Sequence, residues 1–265
     1  MQKLHPDEIK KIELEILRHI DKFCKENGIE YFLNYGTLLG AIRHGGFIPW
    51  DDDLDISMTR ENYEKFIKLY KEKNSSKYEI LSYETDKNYF NTFIKIHDTD
   101  THLVYTNLTK SYNSGIFVDI FPIDRFESKS IISISYFLDS LAYLTYNKKE
   151  TIQYGDSKLK DLARRIMWHL VQPISPSIFP KLINKLIPFY KTDKPTYSIF
   201  IINKFKEENI LPLNIGEELT EVSFEGEMFP APKNYHEVLT ARYGDYMTPP
   251  PEGQRITHEF EAYRK

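Results

Sequence analysis

Residues 34–58 read NYGTLLGAIRHGGFIPWDDDLDISM, and the fold turns on how the two halves of this stretch are joined. GTLLGAIRH (36–44) has the pattern of a short helix opened by Gly36, GGFIPWDD that of a turn, and LDISM (54–58) that of a strand. Four carboxylates fall within five positions, at 51, 52, 53 and 55, between a tryptophan and an isoleucine. Charges so close repel one another and resist burial. Either the run is a solvated turn, or something positive is meant to sit there.

Alternate side chains of a strand share a face, which predicts Asp51, Asp53 and Asp55 on one side and Leu54 and Ile56 on the other. Carboxylates two residues apart on one face can clamp a hard cation. Mg²⁺ (or Mn²⁺) suits such a pair, because it takes one or two protein carboxylates plus water and substrate phosphates. An EF-hand loop is excluded: Ile56 stands where that loop needs glycine, and Asn62 where it needs glutamate. Upstream, Gly36-Thr37 follows a predicted strand (29–35) and opens the short helix, so free backbone N–H groups and a hydroxyl are offered to phosphate oxygens. Arg43 and His44 add positive charge at the other end of that helix.

Outward from this stretch, residues 8–27 place Ile9, Ile12, Ile16, Ile20 and Phe23 at helical spacing, with Gly28 as the stop. Thr59 is the predicted N-cap of a helix running to about residue 72, and strands are expected at 78–83, 90–97, 102–107 and 115–123. From 129 to about 207 the periodicity turns helical, and 210–265 reads as loops with one short helix. The net charge of −4 supplies no basic field and speaks against nucleic acid as a partner. One cysteine, Cys24, excludes an internal disulfide. The N-terminus lacks the apolar core of a signal peptide, and no run is long enough to span a bilayer, so the expected place is the cytoplasm.

The stretch 34–58 closely resembles the signature of the LicD family, phosphocholine transferases that decorate bacterial surface glycans, and is most similar to the enzymes of streptococcal teichoic acid synthesis. The resemblance continues through NYFNTFIKIHDTDT (88–101), SGIFVDIFPIDRF (114–126), FPAPKNYHEVLTARYGDYMTPPPE (229–252) and THEFEAY (257–263), and so covers nearly the whole chain. It implies an α/β (α+β) fold of the nucleotidyltransferase type, a mixed-sheet core with a helical insertion and a C-terminal tail returning to it. The implied division is a catalytic core (1–128), the insertion (129–209) and a C-terminal segment completing the core (210–265). The superfamily pattern is a glycine turn, a strand bearing Asp-x-Asp and a third acid on a later strand. Gly36-Thr37 matches the turn, Asp53 and Asp55 the pair, and Asp119 the third acid, with Asp124 second to it. The resemblance further implies a CDP-choline donor, a lipid-linked glycan acceptor with a free sugar hydroxyl, release of CMP, and Mg²⁺ or Mn²⁺ held by Asp53, Asp55 and Asp119. Asp119 either completes the metal site or takes the hydroxyl proton.

By pattern alone Lys95 is a lysine on a half-exposed strand; the resemblance makes it a phosphate contact, with Arg43 the second candidate. His258 matches a histidine of the family's C-terminal pattern, whereas His44 and His97 lack metal-ligand spacing. Choline has no hydrogen-bond donor, so aromatic faces must recognise it; Trp50, Tyr83, Tyr89, Phe90, Tyr105 and Tyr112 are the candidates, each also explicable as core. Residues 158–191 combine apolar positions with Arg164, Arg165, Lys181, Lys185, Lys191 and Trp168. Two readings stay open there: a helical lobe packed on the core, or peripheral association with the inner membrane surface.

Overall fold

The structure is a computed structural model that describes residues 2–74, 76–105, 108–128, 130–147, 158–190, 192–199, 210–254 and 260–265. After β1 (Gln2–Lys3), α1 (Pro6–Asn27) buries Ile12, Ile16, Ile20 and Phe23, as the spacing requires, and stops at Gly28, whose φ of 59° suits a residue without Cβ. The strand expected over 29–35 contracts to β2 (Phe32–Leu33). The chain turns at once into α2 (Tyr35–His44), because the Asn34 carbonyl accepts the Leu38 amide and the Asn34 side chain donates to Ser57 Oγ (2.8 Å). The acidic run then passes as irregular chain into β3 (Asp55–Thr59), and α3 (Arg60–Lys73) follows with Thr59 accepting the Asn62 amide.

Next come β4 (Tyr78–Leu81), β5 (Ile94–Asp98), β6 (Thr101–Tyr105) and β7 (Phe117–Phe126). The central sheet runs in the order β2-β3-β7-β5-β4, with β3 and β7 parallel and the other pairs antiparallel. β7 lies in the middle, and Phe117 to Ile123 are all buried, the near-continuous apolar run of a strand covered on both faces. α1 and α3 pack against this sheet, locked together by the rings of Phe23, Phe66 and Tyr70.

The insertion is helical as expected: α4 (Ser130–Tyr146), α5 (Lys158–Val171) and α6 (Ile178–Tyr190). Its exit strand β8 (Tyr197–Ile199) pairs with the far end of β7 and with β9 (Ile210–Leu211). The C-terminal region departs from the expected loops. It forms a hairpin, β10 (Leu219–Phe224) and β11 (Glu227–Pro232), before α7 (Tyr235–Tyr243) and β12 (Phe260–Arg264). The hairpin turn puts Glu225 and Gly226 both at positive φ, 52° and 79°, the type I′ geometry that matches strand twist. Glu225 braces the 45–47 turn, donating its amide to Gly45 O (2.9 Å) and accepting the Phe47 amide on Oε1 (3.0 Å). The tail does return to the core: β12 pairs with β6 and β1. Among the described residues no helix is long and apolar enough to cross a membrane.

Candidate active site

The site is set by strand register. Asp55 on β3 stands opposite Asp119 on β7, and Asp119 stands opposite Lys95 on β5, so one row across three adjacent strands reads Asp55, Asp119, Lys95. Backbone bonds fix the row: Asp119 N–H donates to Leu54 O (2.8 Å) and Asn34 N–H to Asp55 O (3.0 Å). Asp53 reaches the row from the irregular segment just before β3. Ligand oxygens of Asp53, Asp55 and Asp119 lie within 4.8 Å of one another, the first acid half-buried and the other two buried. At that spacing each ionised pair repels by roughly 3–4 kcal/mol at an effective dielectric near 20. Burial, then the charges of Asp53 and Asp119, push the Asp55 carboxyl well above the usual carboxylate range, with Lys95 opposing. The donor set is all hard oxygen and fits Mg²⁺ or Mn²⁺.

Lys95 is not a surface lysine. It is 4% exposed, its Nζ donates to Asp119 Oδ1 at 2.5 Å, and its ammonium lies 3.4 Å from the centroid of the Phe117 ring. Asp124, the second choice for the third acid, lies five residues along β7 and therefore on the opposite face. There it is paired with Arg60 on α3 through both carboxylate oxygens. Because the strand begins at Asp55, the expected single face of Asp51, Asp53 and Asp55 does not form. The Asp51 carboxylate instead lies over Gly36, where an added Cβ would fall 2.3 Å from Oδ2. Thr37 is buried, and its hydroxyl accepts the Asp55 amide (2.7 Å), tying the first turn of α2 to the start of β3.

An aromatic cavity of about 290 Å³ opens beside the row. Lys95 and Asp119 line one end; Phe90, Tyr105 and Tyr112 are among its walls, as are Phe93, Phe117, Tyr143, Tyr146 and Phe260. β12 brings Phe260 to the cavity, and α4 brings Tyr143 and Tyr146. Tyr89 is fully buried behind this wall, edge-on to Tyr112 at 5.1 Å. Tyr83 and Trp50 go elsewhere. Tyr83 lines a separate cavity between α3, β4 and α6, and Trp50 packs edge-on to His44. Arg43 donates to His44 Nε2 (2.9 Å) and to Tyr246 O (2.8 Å). His97 is buried and accepts the Gly115 amide on Nδ1; burial lowers its pKa to about 4. His258 lies outside the described residues.

Comparison with known proteins gives the geometry its context. The family described as "LicD/FKTN/FKRP, nucleotidyltransferase domain" matches residues 28–151. The chain is 30% identical over 99% of its length, and 99% of the relative's, to the "Lipopolysaccharide cholinephosphotransferase LicD" of Haemophilus influenzae. The chain belongs to the LicD family. Shorter stretches match elsewhere: 42% identity over 48 residues to the human "Ribitol 5-phosphate transferase FKRP", 18% of this chain and 10% of that one. An uncharacterized Rickettsia prowazekii protein is 31% identical over 130 residues, 44% of this chain and 47% of that one.

In this LicD-family chain, three groups near the acids carried no sequence signal. Glu13 reads as a polar break in the apolar stripe of α1. It is 2% exposed, its Oε2 makes no hydrogen bond among the described residues, and burial, then the charges of Asp53 and Asp52, push its carboxyl well above the usual carboxylate range. Tyr35 opens α2 at φ 44°, a left-handed conformation uncommon for a residue with a side chain. Arg242, on α7, lies 3.6 Å from the centroid of the Tyr35 ring. Two distant segments meet in that stack, so no local pattern announces it.

Proposed function

We propose that the chain transfers phosphocholine from CDP-choline to a sugar hydroxyl of a lipid-linked surface-glycan precursor of the teichoic acid type, at the cytoplasmic face of the membrane, releasing CMP. The observation that carries this reading is the aromatic cavity that Asp119 and Lys95 of the charged row help to line, in a chain similar over 99% of its length to a cholinephosphotransferase. The trimethylammonium group needs aromatic faces, and Tyr105, Tyr112 and Phe260 offer them in one cluster with centroids 5.2 and 6.2 Å apart. Lys95 gives the same cavity a cation for the donor's phosphate oxygens.

In the reaction the acceptor oxygen forms a bond to the choline-bearing phosphorus. The bond from that phosphorus to the bridging oxygen breaks, and its electron pair leaves with CMP. Asp53, Asp55 and Asp119 are the residues that would hold Mg²⁺ or Mn²⁺, which when bound neutralises the phosphate oxygens facing these acids. Lys95 donates to Asp119 Oδ1 and holds that carboxylate's aim, which favours a ligand role for Asp119 over that of a base. Asp53, half-buried where Asp55 and Asp119 are buried, would take the proton of the incoming hydroxyl. Thr37 holds the Asp55 backbone in place, and Gly36 leaves room for Asp51.

The test is CMP release from CDP-choline with Mg²⁺ and an amino-sugar acceptor. Asp55→Asn should lower kcat about a hundred- to a thousandfold, the scale of losing a transition-state charge contact. Tyr112→Leu should raise KM for CDP-choline about 2- to 30-fold, while other CDP-alcohols change less. Better turnover of another CDP-alcohol by the wild-type chain would overturn the choline assignment and leave the transfer chemistry standing. Full activity in Asp55→Asn would overturn the whole reading.

A further inference from the structure

The insertion helices are apolar on two sides, and among the described residues one side carries the packing. On α5, Met167, Trp168 and Val171 pack against Leu144 and Tyr143 of α4. On α6, Phe179 packs with Ala142 and Tyr146 of α4, and Ile183 and Ile187 pack with Ile131. Those contacts satisfy the inner faces. Outside them, Leu162, Ile166 and Leu170 repeat every four residues along α5, and Ile178, Leu182 and Phe189 follow α6, all exposed; Leu170 is 64% and Phe189 82% exposed. A helix of a globular protein keeps its solvent side polar, and contiguous exposed apolar surface marks an interaction site.

Charge identifies the partner. Residues 158–191 carry seven Lys/Arg against one acid, Asp161, in a chain whose net charge is −4. Arg165 and His169 border the α5 stripe, and Lys181 and Lys185 border that of α6, all exposed. Leucine, isoleucine and phenylalanine flanked by cations is the pattern of a helix lying in the interface of an anionic bilayer. A protein partner recognised by this charge would have to be acidic and apolar at once, which a bilayer of anionic phospholipid provides without further assumption.

We propose that the outer faces of α5 and α6 dock the protein, reversibly, on an anionic phospholipid surface. None of these residues belongs to the carboxylate row or the aromatic cavity, so docking and transfer chemistry are separable. The test is flotation of the full chain with phosphatidylcholine vesicles, with and without 30 mol% phosphatidylglycerol. Co-flotation is expected only with the anionic vesicles and should fade in 0.5 M salt. Lys181→Ala/Lys185→Ala should weaken the partition about thirtyfold, and Leu170→Glu/Phe189→Glu should abolish it. Both variants should release CMP from CDP-choline at the wild-type rate when the acceptor is water-soluble. A chain left at the bottom of the gradient overturns the docking assignment. So does a dimer, seen by light scattering, that Leu170→Glu/Phe189→Glu dissociates, since a second copy would then cover the face. A chain that floats without ever releasing CMP refutes the transfer reading instead.

Discussion

Replacing Lys95 with methionine keeps the buried stem and removes only the ammonium. The structure fixes the size of the loss: Lys95 and Asp119 are 4% and 6% exposed, and their charged atoms are 2.5 Å apart. Removing one partner of a buried pair strands the other charge and costs about 3–5 kcal/mol. Asp55 and Asp53 are already crowded against Asp119, so the cost should fall toward the upper end. With an unfolding entropy of about 2 cal/mol/K per residue, this 265-residue chain should lose about 5–9 °C in melting temperature. Scanning calorimetry without divalent cation measures it. Adding Asp119→Asn to the variant should return at least half of the lost stability, because the stranded charge is then gone. Millimolar Mg²⁺ should stabilise the single variant more than the wild type, since it meets one more uncompensated charge. A single variant melting within 1 °C of the wild type, or a double variant no more stable than the single, would falsify the view that this pair holds the charge row together.

Two glycines of α2 should behave oppositely. Gly36→Ala meets the far end of the Asp51 side chain rather than backbone, so melting should shift by less than about 2 °C while CMP release falls. Gly40→Ala meets the Gly46 backbone carbonyl at 2.4 Å and should cost about 1–3 kcal/mol in urea unfolding. His97, with its pKa lowered to about 4, favours the fold while neutral; its contribution is complete above pH 6.5 and drains away as pH falls toward 4. At pH 5 the loss should be about 2 kcal/mol. Urea titrations of His97→Gln at pH 7 and 5 should show a shallower acid limb by that amount, and parallel limbs would refute the assignment.

Local physics made the first half legible. The α1 stripe, its glycine stop, the Thr59 cap and the strand that follows the acidic run are all encoded within a few residues of where they act, although that strand starts at Asp55 and leaves Asp53 just outside it. Asp119 could be told from Asp124 only by resemblance; in the structure an odd spacing on one strand sends them to opposite faces. The hairpin β10–β11 was hidden because its turn puts a glutamate, rather than asparagine or aspartate, in a left-handed position. Segments far apart in sequence build the aromatic cavity, so the aromatics of 83–112 could be nominated but not sorted. Phe90, Tyr105 and Tyr112 line it, Tyr89 backs it, Tyr83 packs against that backing cluster while lining the other cavity, and Trp50 packs on His44. Lys95 misled by its alternation with apolar neighbours, since a central strand is buried on both faces.

The parallel pairing of β3 with β7 joins segments 64 positions apart, Asp55 with Asp119, and it is the seam that sets like charges side by side. A slip of one residue would turn Asp119 away and leave Val118 or Ile120 in its place. Correct alignment and electrostatic crowding are therefore one event during folding, and late, since so long a loop must close first. A dication held by these acids would then work as a rivet. Refolding traces should grow faster with magnesium through that closing step, and an Asp55→Asn chain should knit its sheet quickly with no ion at all.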